Sequence, residues 1–573
     1  MASGVGACEE QNAWVVSGRN GQGILLEHTL AHRNLIFPTP QTAPEMINLP
    51  TTTGQRKRLP IGIQNLRELR EEGHYYADKS GYAVDLADNG KYYFLSRPRR
   101  FGKSLFLDTL KEMFEGNAAL FQGLAAENRW DWTRKHPVIR ISFGDGVLQS
   151  RAELDERIHE LLLDNQRRLG VTCTHTSVSG QLSELIAQAH QTSGQRVVVL
   201  VDEYDKPILD NITNQAIATD MREGLKNLYS VLKGADEHLK FVFITGVSKF
   251  SKVSLFSGLN NLEDITIDPR YSALCGYTDH DVDTVFAPEM PGLDREEIRR
   301  WYNGYNWLGT SVYNPFDLLL LFRNREFKPY WFETGTPTFL VKLLAERQIF
   351  TPTLGQTVAE ETLLSTFDVD IIPPEALMFQ AGYLTIDSVW KIPGRQEFTL
   401  KYPNKEVQAS LNDSLLKHWV GGLSIPGRQI SQLYRVLLAN DLPALQPLFH
   451  AFFATIPHEW YRNSPIAQYE GYYASIFYSH FAALGLDIQL EDATNQGRID
   501  MTVLFNSHVY IFEFKVVNQA ATGSALQQIQ AKGYADKYRA RGEPIHLIGV
   551  EFSKDNRNIV GFEVETTRFK PPY

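Results

Sequence analysis

Cysteine is scarce: Cys8, Cys173 and Cys275 are the only three in 573 residues. They lie far apart, form no Cys-X-X-Cys pair, and only His175 stands near one of them, so neither a disulfide framework nor a zinc site is indicated. Long apolar runs are missing as well. The longest, such as Val197–Val201 and Leu318–Phe322, fall far short of the roughly 20 residues that cross a bilayer. The N-terminus lacks a basic start followed by an apolar core. These absences predict a cytoplasmic protein in a reducing compartment, with no membrane segment and no export signal. No internal repeat and no coiled-coil heptad is present.

A surplus of positive charge is also absent. Lys and Arg number 57 against 67 Asp and Glu, for a formal charge of -10 and a pI near 5.9. No global field draws the chain to nucleic acid, so any such binding must use local patches or the charge of a bound cation. What is present is ordinary for a globular chain: 43% hydrophobic and 22% charged residues, enough for about three or four domains at this length.

The first 56 residues have no sustained hydrophobic period and end in Thr51–Thr53, Gly54 and the basic Arg56–Arg58. They read as a flexible tail, and Met46 offers an alternative start. From 57 to 278, short β-rich runs (Tyr92–Leu95, Val138–Phe143, Val197–Val201, Phe241–Thr245) alternate with helical stretches such as Ser104–Phe114 and Asp220–Lys233. That alternation predicts a parallel sheet with helices on its faces. From 279 to 428 the pattern turns mainly helical and aromatic, with Trp301, Tyr302, Tyr305, Trp307 and Trp331, and reads as a helical accessory domain. From 429 to 573 the order is helices, two strand-like runs and the amphipathic stretch Ser524–Arg541.

The two strand-like runs, Gly497–Phe505 and His508–Lys515, flank Asn506-Ser507 and read as a hairpin. A two-residue turn pairs Phe505 with His508, and counting outward sets Asp500 opposite Glu513, with Cβ atoms about 5 Å apart. Alternation then puts Glu513 and Lys515 on one strand face together with Asp500. Two carboxylates can hold Mg²⁺ or Mn²⁺ with substrate phosphate oxygens, and a lysine beside them can orient or deprotonate the attacking water. The competing reading is a solvent-facing edge hairpin with a Glu and Lys ladder. Phe512 and Phe514, interleaved with the charges, favour a strand with one face in a core.

Asp500 followed by Glu513-Phe514-Lys515 resembles the PD-(D/E)xK nuclease motif, with Ile499 where the family name has proline. The resemblance implies metal ligation by Asp500 and Glu513 and a catalytic Lys515. It further implies an acidic role for Glu470 on the preceding helix and a catalytic role for Gln528, with Tyr534 just beyond. Taken alone, Glu470 and Gln528 read equally as a helix-surface acid and a solvated amide.

Upstream, the strand-like Tyr92–Leu95 leads into Ser96-Arg-Pro-Arg-Arg-Phe-Gly-Lys-Ser104, which opens a helix at Leu105. Strand, loop, Gly-Lys-Ser and helix is the phosphate-loop context, in which backbone amides hold phosphate, Lys103 reaches its outer oxygens and the Ser104 hydroxyl joins Mg²⁺. Arg97 stands where the full motif has glycine. Val197–Val201 followed by Asp202-Glu203 has the shape of a second nucleotide element, Asp202 for the metal shell and Glu203 to orient water; a helix cap or turn is the alternative. Phe101 and Gly102 complete the loop. Arg99 and Arg100 either contact phosphate or decorate the surface, and Thr245 or Ser248 is a candidate sensor of the outer phosphate.

Together with Tyr76-Ala-Asp78-Lys79, Val201–Asp205, Trp301-Tyr-Asn-Gly-Tyr305 and Tyr313-Asn-Pro-Phe316, this ordered set is similar to the bacterial AAA-ATPase-like family, over nearly all of 57–573. The resemblance implies an α/β chain made of a P-loop NTPase-like parallel sheet, a helical accessory domain and a restriction-endonuclease-like α/β domain. The expected cofactors are ATP and Mg²⁺ or Mn²⁺. The expected partners are ATP and nucleic acid, DNA ahead of RNA, with a homo-oligomer compatible and no membrane. The expected activity is ATP-regulated nucleic-acid cleavage. Its rivals are a nucleotide switch that binds without cutting and a nuclease whose ATPase half is vestigial.

Overall fold

In a computed structural model of the chain, residues 56–568 are described, apart from 250–251, 257, 260, 334–339, 342–343, 345–350, 361–363, 365–372, 420–423 and 456–469. The expected tail, 1–56, lies outside them but for its last residue.

Strands β1 (Tyr92–Ser96), β2 (Val138–Ser142), β3 (Val197–Asp202), β4 (Leu239–Gly246) and β5 (Glu263–Asp264) form one sheet in the order β2-β3-β4-β1-β5, every pair parallel. Both β1 and β3 are buried along their whole length, as befits strands covered on both faces, and their unbroken apolar runs follow from that position. The covering helices are α1 (Leu66–Glu71), α2 (Ser80–Asn89), α3 (Lys103–Phe114), α4 (Arg151–Leu169), α5 (Val178–Ser193), α6 (Lys206–Leu209), α7 (Gln215–Gly234) and α8 (Lys252–Leu255). Side chains of Ser150, Ser177 and Asn214 accept first-turn amides of α4, α5 and α7, and Gly170 and Gly194 end α4 and α5 in left-handed geometry. Because β4 stands between β1 and β3, the loops after β1, β3 and β4 emerge side by side at one sheet edge.

The next region holds α9 (Asp279–Thr284), α10 (Arg295–Tyr302), α11 (Pro315–Asn324), α12 (Tyr330–Glu333), β6 (Thr357–Glu360), α13 (Pro374–Ala381), β7 (Thr385–Ile392), β8 (Arg395–Lys401) and α14 (Lys405–Trp419). It is therefore not only helical. Strands β6, β8 and β7 make an antiparallel sheet in that order, its inner face formed by Ala359, Ile386, Phe398 and Leu400. These join the core that begins on the parallel sheet and runs on to Leu415.

A second core starts at Leu416. Around it lie α15 (Ser424–Leu438), α16 (Leu445–Thr455), α17 (Glu470–Ala483), α18 (Ser524–Ala531) and strands β9 (Asp487–Ala493), β10 (Arg498–Phe505), β11 (His508–Val517), β12 (Ile545–Ser553) and β13 (Asn558–Thr567). The sheet order is β13-β12-β11-β10-β9, with β11 and β12 parallel across the α18 crossover and the other pairs antiparallel. Strand β11 is thus central, which removes the reading of an exposed edge hairpin. Phe512 and Phe514 enter the second core against Phe481 and Phe477, at 5.3 and 5.2 Å between rings, each worth about 2–3 kcal/mol of burial. Val509 and Ile511 face the other side, covered by Ile529, Tyr534 and Tyr538.

Candidate functional site

Between Ser96 and Lys103 the chain turns sharply enough to place both Arg100 (φ 69°) and Gly102 (φ 93°) in the left-handed region. Gly102 is the N-cap of α3, so the first helical amides open onto the loop. The Lys103 ammonium folds back to donate to the carbonyls of Arg97 (2.9 Å) and Pro98 (3.0 Å). Burial lowers its pKa, and the nearby Glu203 and Asp202 carboxylates oppose that.

Arg97 turns away from the loop's concavity. Its guanidinium donates to the carbonyls of Ser96 (2.9 Å), Thr266 (2.8 Å) and Tyr271 (3.1 Å) and lies 4.0 Å from the Trp307 ring centre. Burial brings its pKa down to about 10, which still leaves it charged at neutral pH. The departure from glycine is therefore a brace behind the loop.

Asp202 ends β3 and accepts the Thr245 hydroxyl at 2.8 Å. Thr245, a sensor candidate from the sequence, is wholly buried, and its hydroxyl is engaged with Asp202 and the Val201 carbonyl. Ser248 is committed in the same way: its hydroxyl donates to Asp205 at 2.6 Å, and Asp205 also takes the amides of Val247 and Ser248. Glu203 sits at φ 53°, a left-handed conformation for a residue with a side chain, and such strain commonly marks a working position. Burial raises its pKa while Lys103 lowers it.

Arg99, Arg100, Gly102, Lys103, Ser104 and Glu203 line a cavity of about 690 Å³. Its lining also includes the aromatic side chains of Phe316, Trp331 and Tyr383. The Arg100 guanidinium stacks 4.9 Å from Phe316, and the Arg99 carbonyl accepts the Trp331 indole N–H at 3.0 Å. Phe101 serves through its backbone, for its ring is locked against Tyr305 and Trp307 and its carbonyl takes the Gly276 amide. The motifs around Tyr76, Arg99, Glu203, Tyr305 and Phe316, far apart in sequence, converge here. A loop of amides, a lysine and two acids beside a roomy, half-apolar cavity fits a nucleotide and its Mg²⁺.

In the C-terminal sheet, Asn506 (φ 49°) and Ser507 (φ 58°) are both left-handed, the two-residue type I′ turn whose twist matches a hairpin. Phe505 faces His508, and the ladder runs outward to Met501 facing Phe512. One step further the ladder stops, and the Asp500 carboxylate itself accepts the Phe514 amide at 2.8 Å. The strands part at the acids instead of pairing through them.

Glu513 is fully buried. Its Oε1 accepts the Lys515 ammonium at 3.0 Å and the Gln528 amide N–H. Lys515 also donates to the Phe514 carbonyl at 3.0 Å. Burial raises the pKa of Tyr534; Gln528 and Lys515 act against that rise while Glu513 and Asp500 add to it. All four thus act electrostatically on one phenol. Gln528 reaches the site because Gly549, beside Glu513 on β12, has no side chain: a Cβ there would stand 2.4 Å from the Leu526 amide nitrogen of α18.

A residue that the sequence does not reveal is Glu551, paired with Lys515 across β11 and β12. It is buried and accepts the amides of Thr522, Gly523 and Ala525 and the hydroxyls of Thr522 and Ser524. Burial works to raise its pKa, but these donors hold it at about 2. Glu551 thereby pins the start of α18, the helix that carries Gln528. Glu470 is the first residue of α17, and its side chain lies outside the described residues.

Among the described residues no three His, Cys, Asp or Glu side chains gather as a metal cluster. Asp500 and Glu513 are the two carboxylates here that could serve a hard cation, whose remaining ligands would be water and phosphate oxygens.

Comparison with known proteins defines the class. Residues 60–256 match the AAA-ATPase-like family, described as a predicted AAA-ATPase, and residues 468–562 match the PD-(D/E)XK nuclease superfamily. The chain belongs to this AAA-ATPase-like family and carries a C-terminal PD-(D/E)XK nuclease superfamily domain. It is 65% identical over 512 residues, 89% of its length and 99% of the other's, to an Azotobacter chroococcum mcd 1 protein called "Uncharacterized protein in vnfD 5'region". Among the described residues no helix is long and apolar enough to cross a membrane.

Proposed function

We propose that the protein is an ATP-binding, ATP-regulated, metal-dependent nuclease that hydrolyses phosphodiester bonds, with DNA as the favoured substrate. One observation carries the reading: a wholly buried Glu513 carries Lys515 and Gln528 on one oxygen where the strands part around Asp500. Burial of this kind is costly for a carboxylate that only decorates a surface.

Asp500 and Glu513 would hold Mg²⁺ or Mn²⁺, which when bound supplies the positive charge that the chain's net -10 lacks and polarises the phosphate. Lys515 would orient or deprotonate the attacking water, and Gln528 would keep Glu513 and Tyr534 in position. In the other half, Lys103 and Ser104 would bind the outer phosphates and Mg²⁺, Asp202 the metal shell and Glu203 a water.

The test is incubation of the purified chain with single- and double-stranded DNA and RNA, with and without ATP and with Mg²⁺ or Mn²⁺. Metal-dependent cleavage is expected, reduced at least about 100-fold in Lys515→Ala and Asp500→Ala. Nucleotide binding without cleavage under every condition would instead make the C-terminal domain a binding module. Equal ATP affinity in wild type and Lys103→Ala would remove the nucleotide site.

A further inference from the structure

Two carboxyls are buried where neither site uses them. Asp317 lies in the first turn of α11 and Glu406 in the first turn of α14, both 0% exposed. The Trp331 amide donates to Asp317 Oδ1 at 2.7 Å and to Glu406 Oε1 at 3.0 Å, and the Phe332 amide to the same Oε1 at 3.2 Å. The two carboxyls also meet each other. Among the described residues neither has a Lys, Arg or His partner, and Asp317 Oδ2 and Glu406 Oε2 receive no other N–H or O–H donor. Two ionised carboxylates cannot share such a place, whereas one proton shared between the two groups relieves it. Burial first, and Glu333 as a lesser cause, push Glu406 up to about 7; burial and Glu406 raise Asp317. The other titratable groups in their field, Tyr302, Tyr305 and Tyr383, bring no positive charge.

This pair sits midway along a continuous line of contacts. On one side Trp331 stands in the cavity wall with its indole N–H on the Arg99 carbonyl of the phosphate loop. On the other, α14 belongs to both cores, with Val407, Leu411 and Leu415 in the first and Leu416 in the second. Its Gln408 donates to the Tyr478 hydroxyl at 3.1 Å, and its Asn412 accepts the Ser479 hydroxyl at 2.9 Å. Tyr478 and Ser479 lie on α17, whose Phe477 and Phe481 pack on Phe514 and Phe512 of β11, the strand of Glu513 and Lys515.

We propose that the Asp317–Glu406 pair is a proton-sharing clasp through which occupancy of the phosphate-loop cavity is transmitted along α14 and α17 to the C-terminal site. This rests on reading that cavity as a nucleotide site. A nucleotide that contacts Trp331 shifts the backbone amides both carboxyls hold, and the clasp either tightens on the N-terminus of α14 or lets it go. Asp317, Glu406 and Trp331 are positioning residues in this scheme.

Hydrogen–deuterium exchange on the full chain, with and without a non-hydrolysable ATP analogue and Mg²⁺, tests it without reference to cleavage. In wild type the analogue is expected to slow exchange at 97–104 and to change it at 406–419 and 470–483 by about fivefold or more. Glu406→Gln keeps an acceptor for the two amides and offers N–H to Asp317, so it retains both responses. Glu406→Leu keeps the loop response and loses the distant one. Should Glu406→Leu not fold, Trp331→Phe, which removes the donor to Arg99, is expected to lose the distant response in its place. A distant response absent in wild type, or unchanged in these breaking variants, overturns the clasp while leaving the nucleotide site intact. Absence of any response at 97–104 in wild type overturns the nucleotide reading, and the clasp with it.

Discussion

At Arg97 a charged side chain occupies the position where phosphate loops ordinarily carry glycine. Its three carbonyl partners and the Trp307 ring make it a fastener between the loop and the 266–271 segment. Arg97→Gly restores the motif on paper, yet it is expected to destabilise the protein by about 2–3 kcal/mol through the loss of three buried hydrogen bonds to carbonyls, read as a lower melting temperature, and not to raise ATP affinity. Tighter ATP binding by that variant would show the arginine to be an obstruction. In the C-terminal site, Gln528→Ala is expected to cut cleavage about 10- to 100-fold with the melting temperature nearly unchanged, since the glutamine orients Glu513 without supplying core. Cleavage at the wild-type rate would reduce it to a surface amide. The roles of Arg97 and Thr245 are illegible in sequence because both depend on partners more than 40 residues away. The two-residue turn and the shared face of Glu513 and Lys515 are legible from strand alternation, whereas the end of the ladder before Asp500, whose carboxylate takes the Phe514 amide, is not.

Elements recoverable from sequence are those with an uninterrupted signal. The apolar runs of β1 to β4 and the hairpin of β10 and β11 stand where their patterns put them. The antiparallel sheet of β6, β7 and β8 is hidden by the aromatic helical stretches that flank it, although Thr385–Ile392 and Arg395–Lys401 alternate around a Pro393-Gly394 turn. Glu551 is equally hidden, because an acid inside a strand reveals nothing of the amides that α18 turns toward it. Its depressed pKa has a signed consequence. Stability from this group is fully present above the ordinary glutamate value of 4.5 and is lost as pH falls toward about 2. Acid titration is therefore expected to release α18 over that window, and Glu551→Gln to remove that dependence, as seen by amide exchange at 524–531. An unaltered acid profile in the variant would rule out this anchor. Gly304 plays a comparable part for α14: it sits at φ 105°, and a Cβ there would stand 1.9 Å from the Pro403 carbonyl oxygen, just ahead of the helix. Gly304→Ala is expected to cost about 3 kcal/mol or more, measured by denaturant unfolding.

Over the whole molecule, charge sets how nucleic acid can be held. Several basic residues of the C-terminal domain are already engaged, Lys537 with Asp492, Arg539 with Asp536 and Arg541 with Glu543. With a net charge of -10, affinity for an oligonucleotide is expected to fall about tenfold or more on adding EDTA and to depend weakly on monovalent salt. Binding that survives EDTA with a steep salt slope would point to a basic surface elsewhere. Trp331 has a further consequence, an optical one. The chain has nine tryptophans, and this one holds the phosphate loop by its indole N–H while forming the wall of the cavity, so any ligand entering there alters the polarity and hydrogen bonding that govern its emission. The protein carries a native fluorophore in the wall of that cavity, and titration with unlabelled nucleotide is expected to change the light it gives back.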